Sequence, residues 1–384
     1  MPNLQPNVVD VRRFGAAGDG IANDGPAINR AVRFLRDHQK SVGGLGFSPK
    51  LVFPTGAYAV EEPIDLTKLQ ALNAVVEGDS SLILGRCAGQ PVIDALGSRW
   101  LTIRDLTIVG DKTATPKLGM QIGRLADGRV ADNHRFSNVK LVGHYSLACL
   151  LNLASETVGF DHLFCWNACP DQGSYCLIQD GLNHFGTISA FVPDQRGGPE
   201  HDLSFNENEF INCDFRHSGG GVPVWLGDTS RHRFYRCYAA TTGAASFVLY
   251  CGPNSHTMLD VDCHCESRGL RSVFLATGQS PSAVIRGFSY KDHETFASDF
   301  VFARREPLKH VSIQHAQIEI AGFFEPGCRL LDNPAGWRMT GKFYSSEARH
   351  WNADPSFTGT VFIGDSVYQL GAMGAVSAKV RRQQ

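Results

Sequence analysis

After residue 98 the chain repeats a short unit, and that repeat restricts it to very few architectures. Each unit runs roughly 22 to 30 residues and holds a short apolar strand, a polar turn, a second strand and then Gly or Ser. Five successive units align best, at 210–216, 234–240, 258–264, 284–290 and 310–316, and the segments 138–144 and 162–166 fit more loosely. A unit of this size cannot bury its own apolar face, so it must stack on its neighbours. The expected product is a solenoid of parallel strands in which each coil pairs only with the coils on either side. Strand alternation then sorts the side chains. Ile211, Cys213 and Phe215 fall on one face, as do Tyr235, Cys237 and Ala239, and Leu259, Val261 and Cys263. These are mostly apolar and are assigned to the interior, with Cys213 and Cys237 in one column; Tyr235 fits that face poorly.

The outward positions form three columns. The first is Asn212, Arg236, Asp260, Arg286 and Ser312; the second is Asp214, Tyr238, Asp262, Phe288 and Gln314; the third is Arg216, Ala240, His264, Tyr290 and Ala316. Residues two apart on a strand stand about 6 to 7 Å apart, and coils about 4.8 Å apart. Asp260 and Asp262 therefore meet the lower edge of the carboxyl separation used for inverting glycoside hydrolysis, about 6.5 to 9.5 Å. Asp214, two coils away, is the reserve acid. Trp166 and Tyr238 offer flat rings to sugar faces, and Arg216, His217, Arg236 and His264 offer donors, so these six are the expected substrate-binding residues. Arg216 with His217 or His264 would alternatively suit β-elimination, in which an arginine stabilises an enolate and a histidine takes the proton. The alternation of Arg236, Asp260 and Arg286 is equally the pattern of a cross-strand ion ladder.

Composition narrows the remaining classes. Of 384 residues, 43% are hydrophobic and 19% charged, which is globular rather than disordered, and 40 Gly with 24 Phe favour turns and strands. A net charge of −2 with no basic stripe gives no footprint for nucleic acid, and no apolar run reaches membrane-spanning length. The first seven residues lack the basic and apolar regions of a secretory leader, so a cytoplasmic or virion-associated product is expected, or a secreted one whose leader is removed. Eleven cysteines cannot all pair within one chain, and reduced, buried thiols are expected. Cys263-His264-Cys265 alternates faces, and neither it nor Cys165 and Cys169 has structural-zinc spacing. The glycine-rich segment 15–20 lacks the Gly-Lys-Ser/Thr of a phosphate loop. No metal or cofactor is expected. The stretch 179–208 breaks the repeat, and a wall beside the substrate groove is the expectation for it.

The N-terminal region has its own pattern. Val9 to Gly20 reads as a strand and a glycine-rich turn, followed by Asn23-Asp24-Gly25-Pro26-Ala27-Ile28. Asp24 suits an N-cap, Pro26 suits the first helical turn, and Ile28, Ala31, Val32 and Leu35 form a helical stripe. Residues 51–60 then give strand, Pro–Gly turn and strand. This succession resembles the N-terminal signature of the pectate-lyase-like superfamily. The resemblance implies an all-β, right-handed parallel β-helix closed at its start by the helix near residues 25–37. It also implies action on a polysaccharide or oligosaccharide, and a homotrimer of the kind found among tailspikes and fructotransferases. The expected activity is glycosidic-bond cleavage, by hydrolysis with paired aspartates. Lyase or fructosyl-transfer chemistry and glycan binding without turnover are the alternatives. The Asn-Thr-Asp, Asp-Asp, Gly-His-Gly and Arg-Ile-Lys elements of polygalacturonases are absent in that form, and Gly143-His144 is followed by Tyr145. The resemblance therefore carries no catalytic residue across. The expected organisation is one domain, with residues 1–97 as cap and first coils, 98–370 as main coils, and 371–384 as a tail.

Overall fold

The computed structural model describes residues 8–41, 49–67, 69, 73–125, 131–189, 207–227 and 232–242. Farther along it describes the backbone of the strands between 245 and 380, together with the side chain of His264. These strands form two sheets, a long one of 19 strands and a second one of 10. Each coil lays a strand in the long sheet and then one in the second sheet, as Thr102–Gly110 precedes Leu118–Gly123 and Arg135–Gly143 precedes Ala148–Leu153. Coil pairs with coil in parallel register from the first turns to Trp337–Ser345 and onto Gly359–Ile363. The last strands, Ser366–Leu370 and Val376–Val380, turn back antiparallel. The chain is a parallel β-helix, as its repeats require.

Six successive coils of the long sheet bend at one residue in the left-handed region. Ser80, Asp105, Asn138, His162, Asn212 and Arg236 occupy this corner with φ between 49° and 55°. Asp and Asn tolerate that conformation better than most residues, which is why they recur there. The corner also resets the alternation of faces. After it, Cys213, Phe215, Cys237 and Ala239 are buried as expected, with Cys213 and Cys237 in one column. Before it, the inward residues are Phe210 and Phe234, whereas Ile211 is half-buried and Tyr235 is 50% exposed. The expected inward placement of Ile211 and Tyr235 is thus wrong, because unbroken alternation cannot be carried through a left-handed residue.

Ahead of the corner, Phe136, Phe160, Phe210 and Phe234 stack coil upon coil, with ring centres 4.8, 4.6 and 4.4 Å apart. Parallel register imposes this: Phe136 pairs with Phe160, Phe160 with Phe210 and Phe210 with Phe234. Cys87, Cys149, Cys165, Cys169, Cys176, Cys213 and Cys237 are buried free thiols. Burial pushes the Cys87 thiol up to about 12 and raises Cys149, Cys165 and Cys213 as well, so these side chains act as small neutral hydrophobes.

At the N-terminal end, helix α1 (Gly25–Ser41) buries Ala27, Ile28, Ala31, Val32 and Leu35 in the main core. The Asp24 carbonyl accepts the first helical bond from the Ile28 amide, at 2.9 Å. Its carboxylate instead accepts from the amides of Ala17 and Gly18, at 2.6 and 3.2 Å, and so holds the glycine-rich turn against the helix.

Candidate functional site on the outer face of the long sheet

Beyond the corner, the outward residues of successive coils fall into two rows. One runs Thr107, Lys140, Phe164, Asp214, Tyr238 and His264; the other runs Val109, Val142, Trp166, Arg216 and Ala240. Five of the expected site residues thereby come together: Trp166, Asp214, Arg216, Tyr238 and His264. Asp214 and Arg216 form a close ion pair, with Arg216 Nε 2.9 and 3.0 Å from the two carboxylate oxygens and Nη2 2.6 Å from one of them. The Arg216 guanidinium lies 4.9 Å from the Tyr238 ring centre and 5.7 Å from that of Phe164. Tyr238 and His264 sit side by side on adjacent strands, ring centres 5.8 Å apart. Trp166 is 44% exposed, and its indole N–H donates to Ser218 Oγ at 3.1 Å. The result is an aromatic and hydrogen-bonding surface built around one ion pair.

The expected columns shift at the strand Leu259–Ser267. The preceding strand spends Arg236 on its corner, so Tyr235 pairs with Asp262 and Cys237 with the very next residue, Cys263. His264 accordingly falls in line with Tyr238 and Asp214, in the place expected for Asp262, and Glu266 falls in line with Ala240. Asp262 lies two positions before that row, and Asp260 pairs with Arg233 and Val284. The expected row Arg236–Asp260–Arg286 therefore does not form. Arg236 stands at the corner, its guanidinium 5.5 Å from the Tyr235 ring centre. The side chains of Asp260 and Asp262 lie outside the described residues.

His217 departs further from its expected role, because the alternation that exposes Arg216 turns His217 inward, to 2% exposure. Its Nδ1 accepts from the amides of Gly219 and Gly221, at 3.2 and 3.0 Å. That leaves Nε2–H to donate to Ser174 Oγ at 2.9 Å, and Ser174 in turn donates to the Asp171 carbonyl. Burial holds the imidazole down at about 4, so it stays neutral and fastens the glycine turn to the neighbouring coil.

The opening residues of the 179–208 insertion turn toward the other sheet. Phe185 packs edge-on against Trp225 and Tyr175, with ring centres 4.8 and 5.4 Å away. Together with Leu118, Ala148, Leu151 and Ile178 these rings fill the outer face of the second sheet. Asp180, fully buried, anchors this segment by accepting from His184 Nδ1 at 2.7 Å and from the amides of Leu182 and Phe185 at 3.1 and 3.3 Å. Residues 181–189 thus do not wall the outer face of the long sheet, and 190–206 lie outside the described residues. Sequence reasoning passed over Phe164 and Lys140, although both lie in segments that fit the repeat; locating them needs only the alternation carried into the looser units.

Comparisons with known proteins support the fold. No family model and no curated protein matches the sequence. Among solved structures the chain is similar to the ORF18 protein of Geobacillus virus E2, with a TM-score of 0.61 at 16% identity over 95% of this chain and 65% of that one. It is also similar to PfbA, a surface adhesin of Streptococcus pneumoniae, with a TM-score of 0.64 at 12% identity over 92% of this chain and 88% of the adhesin. A third relative in shape is the catalytic unit of a GH87 α-1,3-glucanase from Streptomyces thermodiastaticus, with a TM-score of 0.56 at 10% identity over 97% of this chain and 69% of that unit. The chain spans about two thirds of the viral and glucanase chains. At these identities the likeness is one of fold.

Proposed function

We propose that the protein is carbohydrate-active and binds a polysaccharide along the outer face of the long sheet, cleaving its glycosidic bonds by hydrolysis. The observation that carries this reading is the single surface formed by Trp166, Arg216, Tyr238 and His264. Flat rings beside charged and hydrogen-bonding groups match the two chemical faces of a pyranose, its C–H face and its hydroxyl edge. Asp214 acts here as the residue that fixes Arg216, because both of its carboxylate oxygens accept from that guanidinium. The acid and base roles then pass to Asp260 and Asp262 on the strand that carries His264. In the same reading the coil is right-handed, as parallel crossovers almost always are, α1 closes its N-terminal end, and the chain forms a homotrimer.

One observation favours a second chemistry. Tyr238 and His264 stand together next to an arginine, which is the donor set for β-elimination on a uronate polymer. A single experiment separates the readings: purified protein is incubated with bacterial and plant polysaccharides while reducing ends and unsaturated-uronate absorbance are followed, with Asp262→Asn and Tyr238→Ala in parallel. Reducing ends without absorbance, lost in Asp262→Asn, are expected. Rising absorbance would transfer the chemistry to Tyr238 and His264. Binding without either product would make the protein a glycan receptor, and full activity in both variants would refute the site.

A further inference from the structure

The row that carries Asp214 and Tyr238 begins in a groove several coils nearer the N-terminus. The strand Val75–Gly85 runs out of register with Thr102–Gly110: Glu77 pairs with Arg104, yet Ser81 pairs with Leu106. Gly78, Asp79 and Ser80 therefore oppose Asp105 alone, and the surplus residues bulge. Only a glycine fits at 78, since a Cβ there would run into the Asp105 carbonyl oxygen. The bulge borders a groove of about 510 Å³ lined by Asp79, Ser80, Asp105, Thr107, Asn138 and Lys140. Asn138 Nδ2 donates to Asp105 Oδ1 at 2.9 Å, which orients carboxylate and amide together at the corner. Leu82, 40% exposed, supplies an apolar margin.

We infer that this groove is a sugar subsite of the same binding face, and that the polymer it takes is neutral. The inference rests on the polysaccharide reading above. Carboxylates accept from pairs of hydroxyls, and an amide and an ammonium donate to ring and hydroxyl oxygens, so Asp79, Asp105, Asn138 and Lys140 together suit an uncharged hexose. Two carboxylates against one lysine repel a uronate. Thr107 and Lys140 lie in the groove and in one row with Asp214, Tyr238 and His264. From Thr107 to His264 that row climbs five strand spacings, about 24 Å. One extended oligosaccharide spans it, and a neutral polymer favours hydrolysis over β-elimination because it lacks the carboxylate that elimination requires.

The test is a glycan array of neutral and uronate oligosaccharides, from trisaccharide to octasaccharide, probed with the full chain and with the Asp79→Asn, Lys140→Gln double variant. The melting curve of the variant serves as a fold control, both residues being exposed. The wild type is expected to prefer neutral glycans and to gain affinity from trisaccharide to octasaccharide. The variant should lose about tenfold on the long glycans, flattening that length dependence. Preference for uronates, or an unchanged length dependence in the variant, would overturn this inference and leave the polysaccharide reading standing. No binding anywhere on the array, with a folded wild type, would overturn both.

Discussion

The phenylalanine stack offers a test of the fold's energetics that is independent of function. Phe210 is fully buried and stacks on two partners, Phe160 at 4.6 Å and 4° and Phe234 at 4.4 Å and 9°, with Phe215 edge-on at 6.1 Å. Phe136 is also buried but stacks on Phe160 alone, at 4.8 Å and 15°, with His134 as a tilted ring neighbour at 6.3 Å. Leucine at either position keeps most of the apolar volume and removes the ring pairing. Each aromatic pair contributes about 0.5–1.5 kcal/mol beyond its buried area. Phe210→Leu should therefore cost about 0.5–1.5 kcal/mol more than Phe136→Leu, the value of its second stacked neighbour. Alanine at Phe210 would add a cavity and bring the loss to about 3–5 kcal/mol. Urea unfolding followed by far-ultraviolet dichroism and by tryptophan fluorescence reads these losses, the two probes checking that coils unfold together. Equal losses for the two leucine variants would mean that the rings contribute only as buried volume, and the pairing argument would fail.

Three further outcomes follow from particular contacts. Burial holds His134 down to about 3 and His217 down to about 4, below the ordinary 6.5, so the unfolded chain takes up protons that the folded chain refuses. Stability from both histidines is complete above about pH 6.5 and falls as the pH drops through 6.5 toward 4, by about 1.4 kcal/mol per unit per histidine; urea midpoints that do not move between pH 7, about half a unit above the ordinary histidine value, and pH 5, about one and a half units below it, would refute this. Gly221→Ala would drive a Cβ into His217 Nε2 and the Ser174 carbonyl, so it should lower the melting temperature far more than Gly89→Ala, which carries only the backbone strain of a φ of +69° with nothing within 4 Å of its Cβ. Asp214→Asn removes a partly exposed ion pair and should change stability by only about 0–1 kcal/mol, while releasing Arg216 and weakening glycan binding on the array.

Much of the architecture was legible in the residues. The spacing of the repeats requires a stacked solenoid, the stripe from Ile28 to Leu35 makes α1, and Pro54–Gly56 breaks residues 51–60 into two strands. The face assignment was legible only on one side of each corner. Asn212 and Arg236 are equally left-handed, yet nothing in an arginine announces that conformation. Missing the corner put Ile211 and Tyr235 inside and hid the phenylalanine column. It also misplaced Asp262, because a column of aligned letters assumes that every strand spends the same number of residues on its turn. Strands 232–241 and 259–267 do not. His217 was misjudged for the opposite reason: simple alternation from Arg216 already turns it inward, and the neighbouring glycines gave it a partner rather than an opening.

These register shifts also decide which surface is available to a ligand. The outer face of the second sheet is filled by its own apolar cluster and by Phe185, with Leu151 and Ile178 fully buried. The outer face of the long sheet beyond its corner keeps Trp166, Arg216 and Lys140 exposed, with Tyr238 and His264 partly so. Where adjacent strands count residues differently, at Gly78–Ser80 and again at Arg236, the surface changes from a smooth ladder to a groove or a step. The sugar-binding residues proposed here begin at the first of these irregularities and extend across the second. A regular parallel ladder repeats one surface every coil and can hold a polymer without fixing its position, whereas a local excess of residues supplies a place where one sugar unit fits and the next does not. In the proposed binding mode the bulge at Gly78 would set where the chain of sugars begins, while the corner at Arg236 brings His264, rather than an aspartate, to lie beside Tyr238.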